Sequence, residues 1–339
     1  SRIKKNMDNK KIFVTGGGGY CGTKLVPLLL NKGFKVTVYD TFYFGNFLPK
    51  NENLIIINGD IRDYEKIMST SKEHDIFLSL ACISNDASFE LDENLSTSIN
   101  LNSFEPMVLA AKKNKIKRFI YASSSSVYGV SDKPDVTEDH PLVPLTLYNK
   151  YKGECEPILE KYTDENFTGV TFRPATVCGY SPRLRLDLSV NILTNHAVNK
   201  NVITVFGGDQ LRPNLHIKDY CKAVQLFIDA PKEIISNEKF NVGYQNLSIM
   251  DIAKTVKQVV EKEYNNEKSI DIVRTESDDN RSYHINSDKI KNVLGFVPEF
   301  TIEDAVKELC DAFKNKLINN SFNNDIFHNV KRLKSLNIT

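Results

Sequence analysis

The chain reads as an α/β protein: a doubly wound parallel sheet with a smaller mixed α/β lobe interleaved near its end. Three observations predict it. Short β-branched runs alternate with longer amphipathic ones through the first half, the pattern of parallel strands joined by crossover helices. Four consecutive glycines stand between the first strand and the first helix. After Arg173 the alternation loosens into segments punctuated by Pro and Gly. A chain of 339 residues is long enough to bury two lobes.

In order, strands are expected at 11–15, 35–39, 54–58, 76–80, 118–122 and 169–173, where β-branched and aromatic residues cluster. Amphipathic helices are expected between them at 20–31, 64–71, 95–114 and 148–166. Then R-P-A-T-V-C-G-Y-S-P-R reads as a loop, 188–199 as a helix, and V-I-T-V-F followed by G-G-D-Q as a strand and turn. Helices at 217–229 and 249–264 and strands at 239–242 and 270–273 complete the pattern. The expected domains are a first lobe over 10–175, to which 211–245 returns, and a second lobe from 176–210 and 246–312. The Asn- and Lys-rich tail, 313–339, is expected to be peripheral.

Composition excludes several classes of function. Lys and Arg number 44 against 43 Asp and Glu, a net charge of +1, so no global field selects nucleic acid or an anionic membrane. Any anionic ligand must be held locally. Six cysteines, Cys21, Cys82, Cys155, Cys178, Cys221 and Cys310, show neither C-x-x-C nor Cys/His metal spacing, which points to reduced thiols and no metal site. No run approaches the roughly 18 apolar residues of a membrane helix. The start S-R-I-K-K-N-M-D-N-K lacks a hydrophobic signal core, so a cytoplasmic location is expected.

The stretch K-I-F-V-T-G-G-G-G-Y-C-G-T-K-L carries the first functional signal. Between strand and helix the backbone must turn tightly, admit a pyrophosphate, and aim helix N-terminal N–H groups at it. Gly17, Gly19 and Gly22 fit G-x-G-x-x-G, while Gly16, Gly19 and Gly22 fit G-x-x-G-x-x-G. Either register makes Gly16 to Gly22, with Tyr20 and Cys21, a dinucleotide loop. The next strand ends in Asp40, 24 residues after Gly16. A carboxylate there accepts hydrogen bonds from an adenosine ribose and repels a 2′-phosphate, which favours NAD over NADP. Asp60 and Ile61 after the third strand are offered to the adenine. Leu80 and Ala81, at the carboxyl end of the fourth strand, fall where ligands sit on such sheets. No Walker lysine follows the glycines, which disfavours a phosphotransferase.

The second signal is Tyr148 and Lys152, four residues apart and 24 residues beyond the serine cluster Ser123 to Ser126. Tyr20/Lys24 and Tyr264/Lys268 have the same spacing, so context decides: only Tyr148 follows a hydroxyl-rich strand end. A phenol is a poor base at neutral pH unless positive charge stabilises its phenolate. Lys152, one helical turn on, and an oxidised nicotinamide supply that charge. Ser124 is placed to hydrogen-bond the same substrate oxygen. The unit suits proton removal from an alcohol whose hydride leaves for NAD.

At these residues the chain resembles an extended short-chain dehydrogenase/reductase of the NAD-dependent nucleotide-sugar epimerase/dehydratase family, over about residues 10–312. T-G-x-x-G-x-x-G matches Thr15 to Gly22, S-S-x-S-V-Y-G matches Ser123 to Gly129, and Y-x-x-x-K matches Tyr148 to Lys152. In the family the catalytic hydroxyl stands five residues before the Gly of V-Y-G, here Ser124. The resemblance implies a bound NAD, a cleft for a nucleotide-diphosphate sugar, and a homodimer formed through the helices at 95–114 and 148–166. L-R-P-N-L-H-I-K-D resembles the segment whose arginine meets the sugar nucleotide's diphosphate, which implies Arg212, with Arg281 as a second phosphate ligand. His216 and Asp219 in that segment read as orienting residues. Two guanidiniums suit a diphosphate because each makes a bidentate contact.

The reaction is read from a departure. Sugar-nucleotide 4,6-dehydratases typically carry Asp-Glu directly after the catalytic hydroxyl residue; here those positions are Ser125, a candidate substrate contact, and Ser126. The segment S-P-R-L-R-L-D-L-S-V-N resembles a subgroup with 4-epimerases and 4-dehydrogenases, which makes Arg183 and Arg185 candidate substrate ligands. The expected activity is a nucleotide-sugar 4-epimerase acting through a transient 4-keto sugar. The closest rival among enzymes is a 4-dehydrogenase or reductase that stops after one hydride transfer; the rival from another class is a non-catalytic NAD-binding protein, against which intact Ser124, Tyr148 and Lys152 count.

Overall fold

The structure, a computed structural model, describes residues 10–339 apart from 132, 134 and 280. The polar start considered above, residues 1–9, lies outside the described residues.

Seven parallel strands form the main sheet: β1 (Lys11–Thr15), β2 (Lys35–Asp40), β3 (Leu54–Asn58), β4 (Ile76–Ser79), β5 (Arg118–Ala122), β6 (Thr168–Pro174) and, much later in the chain, β10 (Glu238–Val242). Their spatial order is β10-β6-β5-β4-β1-β2-β3. β1 pairs with β2 on one side and with β4 on the other, in register from Lys11 against Lys35 and Ile12 against Ile76. The winding therefore reverses between β1 and β4, and the ends of those two strands open the crevice where a ligand binds. Central strands read as near-continuous apolar runs because both faces are covered. Ile12, Phe13 and Val14 are fully buried. The edge strand β3 leaves Ile55 and Ile56 exposed.

Helices α1 (Gly22–Asn31), α2 (Tyr64–Thr70), α3 (Phe104–Lys113) and α4 (Leu147–Tyr162) make the crossovers. The expected helix 95–114 is broken. Glu93–Thr97 is α-helical, Ser98–Asn102 winds as a π-turn, and α3 starts afresh at Phe104. Pro106 cannot donate to the Asn102 carbonyl, and the buried Asn100 side chain bonds Ile83 N and O instead of facing solvent. The expected helix 148–166 ends four residues early, because Asp164 closes a tight bridge with Phe167.

The second lobe is mixed, as expected. β7 (Thr176–Cys178), β9 (Leu211–His216) and β11 (Gln245–Ser248) form a three-stranded sheet, and β8 (Val202–Phe206) pairs with β12 (Asp271–Thr275). Helices α5 (Ser189–Lys200), α7 (Ile249–Glu263) and α8 (Ile302–Lys314) pack around a core that includes Val190, Ile203, Val256 and Val306. Of segment 211–245, α6 (Ile217–Asp229) and β10 pack with the main sheet, whereas β9 stays in the small one.

The tail 313–339, expected at the periphery, packs into the molecule. Ile318 and Phe327 join the main core. The tail ends in helix α9 (Asn329–Leu336), whose Asn329 is buried. Apolar residues spaced too widely for a helical stripe carry the packing, so the tail's polar composition concealed it.

Candidate active site

A cleft of about 520 Å³ lies beyond the carboxyl ends of β1, β2, β4 and β5, bounded by the second lobe and by α9. At its floor the backbone resolves the glycine register. Gly16 turns at φ +75°, where a Cβ would meet Ala81 N at 2.6 Å and Leu80 C at 2.9 Å. A Cβ on Gly22 would strike the Gly17 backbone, so this position keeps helix and loop in contact. Gly19 donates to the Gly16 carbonyl at 3.1 Å, and a Cβ there would meet only that oxygen. Backbone thus demands glycine at Gly16 and Gly22, whereas a Cβ on Gly17 would meet the Val38 side chain.

The floor fits a dinucleotide. α1 opens without a side-chain cap and with no acidic residue in its first turn, which leaves its positive end facing the cleft for a pyrophosphate. Asp40 sits at the tip of β2, where Oδ2 accepts from Gly18 N at 3.0 Å and Oδ1 from Phe42 N at 2.8 Å. Burial pushes its carboxyl up, opposed by those two backbone donors and the charge of Arg183. Asp60, Ile61, Leu80 and Ala81 all line the cleft, as do Tyr20, Cys21 and Gly22. The Asp60 carboxylate is paired with Arg62 at 2.5 Å and its carbonyl accepts from the Tyr39 hydroxyl.

At the reacting end, α4 carries Tyr148, Asn149, Lys152 and Glu156 along one face, with Thr146 capping its start through Asn149 N. Lys152 is buried and donates to the Ala122 carbonyl at 2.9 Å, the last residue of β5. Burial disfavours its charge, but Cys82, Tyr148 and Cys155 outweigh it and hold the ammonium above its ordinary range. Tyr148 packs on Phe89 and lines the cleft half-buried. Burial pushes its phenol up to about 12, with Cys82 adding and Lys152 and Arg185 pulling down. The other two Y-x-x-x-K tyrosines are otherwise engaged. The Tyr20 hydroxyl donates to Gly179 O at 2.6 Å, and Tyr264 packs against its own Lys268 in the second lobe.

Ser124 leaves β5 at the N-cap of a short 3₁₀ turn, its Oγ 2.7 Å from Ser126 Oγ; Ser126 in turn donates to Asn149 Oδ1 at 2.6 Å. Ser125 is buried and lines the cleft. Behind them lies a network that spacing alone did not reveal. Ser123 donates to Glu156 Oε2 at 2.7 Å, Arg173 grips both oxygens of Glu156, and Arg173 donates to Tyr128, whose hydroxyl donates to Asn241. Glu156 follows Lys152 by one helical turn, a signal that was available in the sequence.

The four candidate substrate arginines all line the cleft, in three settings. Arg212 lies under Tyr283, 5.1 Å from the ring centroid, and donates to Arg281 O; Arg281 pairs with Asp279 at 2.7 Å. Arg185 is braced by Asp187 at 2.9 Å and its charge acts on Tyr148. Arg183 makes none of these contacts: it lies over Phe44, 3.7 Å from the ring centroid, and donates to Asn329 Oδ1 at 2.7 Å. His216 and Asp219 hold loops: His216 Nδ1 accepts from Lys218 N, and Asp219 accepts from Glu299 N and Phe300 N. Among the described residues the cleft carboxylates are Asp40, Asp60 and Asp86, the last accepting from Thr146. No metal-binding cluster of His, Cys, Asp or Glu and no helix long and apolar enough to cross a membrane occur among the described residues.

Comparison with known proteins fits this geometry. The family model for the NAD dependent epimerase/dehydratase family matches residues 12–243. A UDP-glucose 4-epimerase of Lactobacillus helveticus is 27% identical, covering 87% of this chain and 94% of that protein. A dTDP-glucose 4,6-dehydratase of an Actinoplanes species is 24% identical, covering 88% and 96%. The solved UDP-glucose 4-epimerase of Thermotoga maritima, with UDP-glucose, superposes with a TM-score of 0.80 at 23% identity, covering 91% of this chain and 100% of that one.

Proposed function

Because the chain belongs to the NAD-dependent epimerase/dehydratase family and is an enzyme of that family, we propose that it is a nucleotide-sugar 4-epimerase. One observation carries the choice within the family. The side chains that follow the candidate hydroxyl Ser124 are Ser125 and Ser126, and no glutamate lines the cleft among the described residues. Eliminating water from a hexose needs an acid and a base beside the tyrosine. Of the cleft carboxylates, Asp40 lies on the glycine-loop side, Asp60 is ion-paired, and Asp86 is engaged by Thr146.

When bound, NAD would supply the hydride acceptor at C4 and, once the sugar has turned, the hydride donor. The chain's own residues handle the proton and the orientation. Tyr148 Oη takes the proton of the C4 hydroxyl, and Lys152 and Arg185 favour the phenolate that does so. Ser124 holds the same oxygen through its hydroxyl. Arg212 and Arg281 grip the diphosphate of the nucleotide sugar, leaving the sugar free to turn and present its other face at the keto stage. Asp40 would accept from the adenosine ribose and repel a 2′-phosphate, selecting NAD over NADP.

The test is incubation of the purified protein with UDP-, GDP-, CDP- and dTDP-sugars, followed by product analysis. A C4 epimer formed with no net change in NADH supports the reading. A persistent keto product with accumulating NADH replaces it with a 4-dehydrogenase, and a 6-deoxy-4-keto product replaces it with a dehydratase.

A further inference from the structure

Arg183 and the C-terminal segment occupy the glycine-loop side of the cleft, away from the groups that flank Tyr148. The Arg183 main-chain N–H donates to Thr23 Oγ1 on the first turn of α1, and the residue is 3% exposed. One terminal nitrogen bonds Asn329, the guanidinium lies over Phe44, and Nε has no hydrogen-bond partner among the described residues. A buried guanidinium with an orphaned donor is costly, because nothing repays its lost hydration. Its charged neighbours do not remove the deficit. Arg185 repels it, and Asp187 and Asp40 attract it without forming an ion pair with it.

The segment that holds Arg183 crosses the whole rim. Leu186 N donates to Phe327 O, Asn329 N donates to Asp187, Arg332 Nε donates to Tyr43 O at 2.6 Å, and Arg62 donates to the Thr339 carbonyl at 3.1 Å. Tyr43 and Arg62 belong to the loops after β2 and β3, the two loops that border Asp40 and Asp60. Asn329 and Leu333 themselves line the cleft.

We propose that Arg183 is a ligand of the cofactor's diphosphate, and that the strap 316–339 is part of the NAD site, positioning Arg183 through Asn329 and covering the adenosine half. The ligand is an adenosine diphosphate because the neighbours are those of a dinucleotide: the uncapped start of α1, Gly18 and Asp40. The nucleotide sugar's diphosphate has its own pair, Arg212 and Arg281, which share no hydrogen-bond or ring partner with Arg183. The strap then retains NAD between turnovers, which suits a reaction that returns its hydride. The assignment of Arg183 rests on NAD dependence and stands apart from the choice of 4-epimerase.

The test compares the full chain with Arg183→Met, Asn329→Ala and a chain ending at His328, which keeps the core residues Ile318 and Phe327. ADP-ribose affinity is measured by calorimetry and NAD release by stopped flow, with UDP, GDP, CDP and dTDP as controls. Loss of one charge-assisted contact predicts roughly 10- to 100-fold weaker ADP-ribose binding for Arg183→Met. The shortened chain should release NAD about tenfold faster, and Asn329→Ala should fall between it and the full chain. The nucleoside diphosphate that binds tightest should change less than about twofold, the spread of context effects on a remote contact. Weakening confined to that nucleoside diphosphate assigns Arg183 to the sugar nucleotide and overturns the proposal. Unchanged ADP-ribose affinity and NAD release in folded Asn329→Ala also overturns it, and this mild variant decides the matter if either of the others fails to fold. If none of the four diphosphates binds, the nucleotide-sugar reading fails while the ADP-ribose measurements still settle this one.

Discussion

The reacting end of the cleft is held by near neighbours in the chain, and the glycine-loop end by distant ones. Tyr148, Asn149, Lys152 and Glu156 share a single helix, and Ser126 reaches Asn149 across 23 positions. Around the cofactor end, Arg183 meets Asn329 across 146 positions, Arg62 meets Thr339 across 277, and Arg332 meets Tyr43 across 289. Apart from the charge of Arg185, the first end is complete once the parallel sheet and α4 exist. The second exists only when the C-terminus has folded back over the loops after β2 and β3. Chemistry and cofactor retention should therefore be separable by mutation.

Tyr148→Phe is the strongest challenge to that separation. Removing the proton acceptor should lower kcat by about 10²- to 10⁴-fold, while NAD release stays at the level of the unmodified chain. Steady-state rates and stopped-flow release on the same preparation check it, and faster NAD release would join the two ends that the contacts keep apart. Next in size is Glu156→Leu. It leaves Arg173, 1% exposed, without the carboxylate it grips, and breaking a buried pair from one side costs about 3–5 kcal/mol. Urea unfolding should show a lower midpoint, largely restored in the double variant with Arg173→Met, since removing both charges removes the unpaired one.

A pH profile sharpens the comparison through the two arginines of S-P-R-L-R. Tyr148 accepts a proton only as phenolate, so turnover rises with pH through its apparent pKa. Burial drives that pKa up and Lys152 and Arg185 drive it down. In Arg185→Met one lowering influence is gone, so the rising limb of kcat should move to higher pH. In Arg183→Met the limb should stay in place, because the guanidinium faces Asp40 and Asn329. Movement in both variants would mean that the two arginines act as one cluster.

What the sequence revealed follows the same division. The β-branched runs located six strands of the main sheet to within a residue at each end, because buried parallel strands leave a continuous apolar signature. Local spacing also marked Tyr148, Lys152, Ser124 and the glycine loop, though four adjacent glycines left the register open until Gly16 was seen at positive φ against Ala81. Helix 95–114 was overextended because a π-turn anchored by Asn100 has no periodic signature. Arg183 and Arg185 are two positions apart and looked equivalent. Alternate residues of a regular strand would share a face, but this segment bends at Pro182–Arg183 and again from Leu186 to Leu188, and here one faces Tyr148 and the other Asn329. The tail looked peripheral because its role rests on single long-range contacts rather than on a hydrophobic period.

The smallest effect is expected at Ser126, and its size follows from which proton goes where. Ser126 Oγ has one proton and gives it to Asn149 Oδ1, which can only accept. Ser124 must then be the donor in the 2.7 Å contact between the two hydroxyls, and to hold the C4 oxygen, which gives its own proton to Tyr148, it must turn that proton from Ser126 to the substrate. Ser126→Ala removes that acceptor and frees the Ser124 proton to rotate. Ser126 N still donates to Ser124 Oγ at 3.2 Å, so the hydroxyl keeps one anchor. The loss should match one neutral hydrogen bond, about 0.5–1.5 kcal/mol or roughly two- to tenfold in kcat. KM should be unchanged and NAD release unaffected, and Ser126→Thr, which restores the hydroxyl, should recover the rate. An effect on KM alone would instead make Ser126 a direct substrate contact, and the reacting end would then bind the sugar with one more hydroxyl than the Ser124–Ser126–Asn149 chain allows.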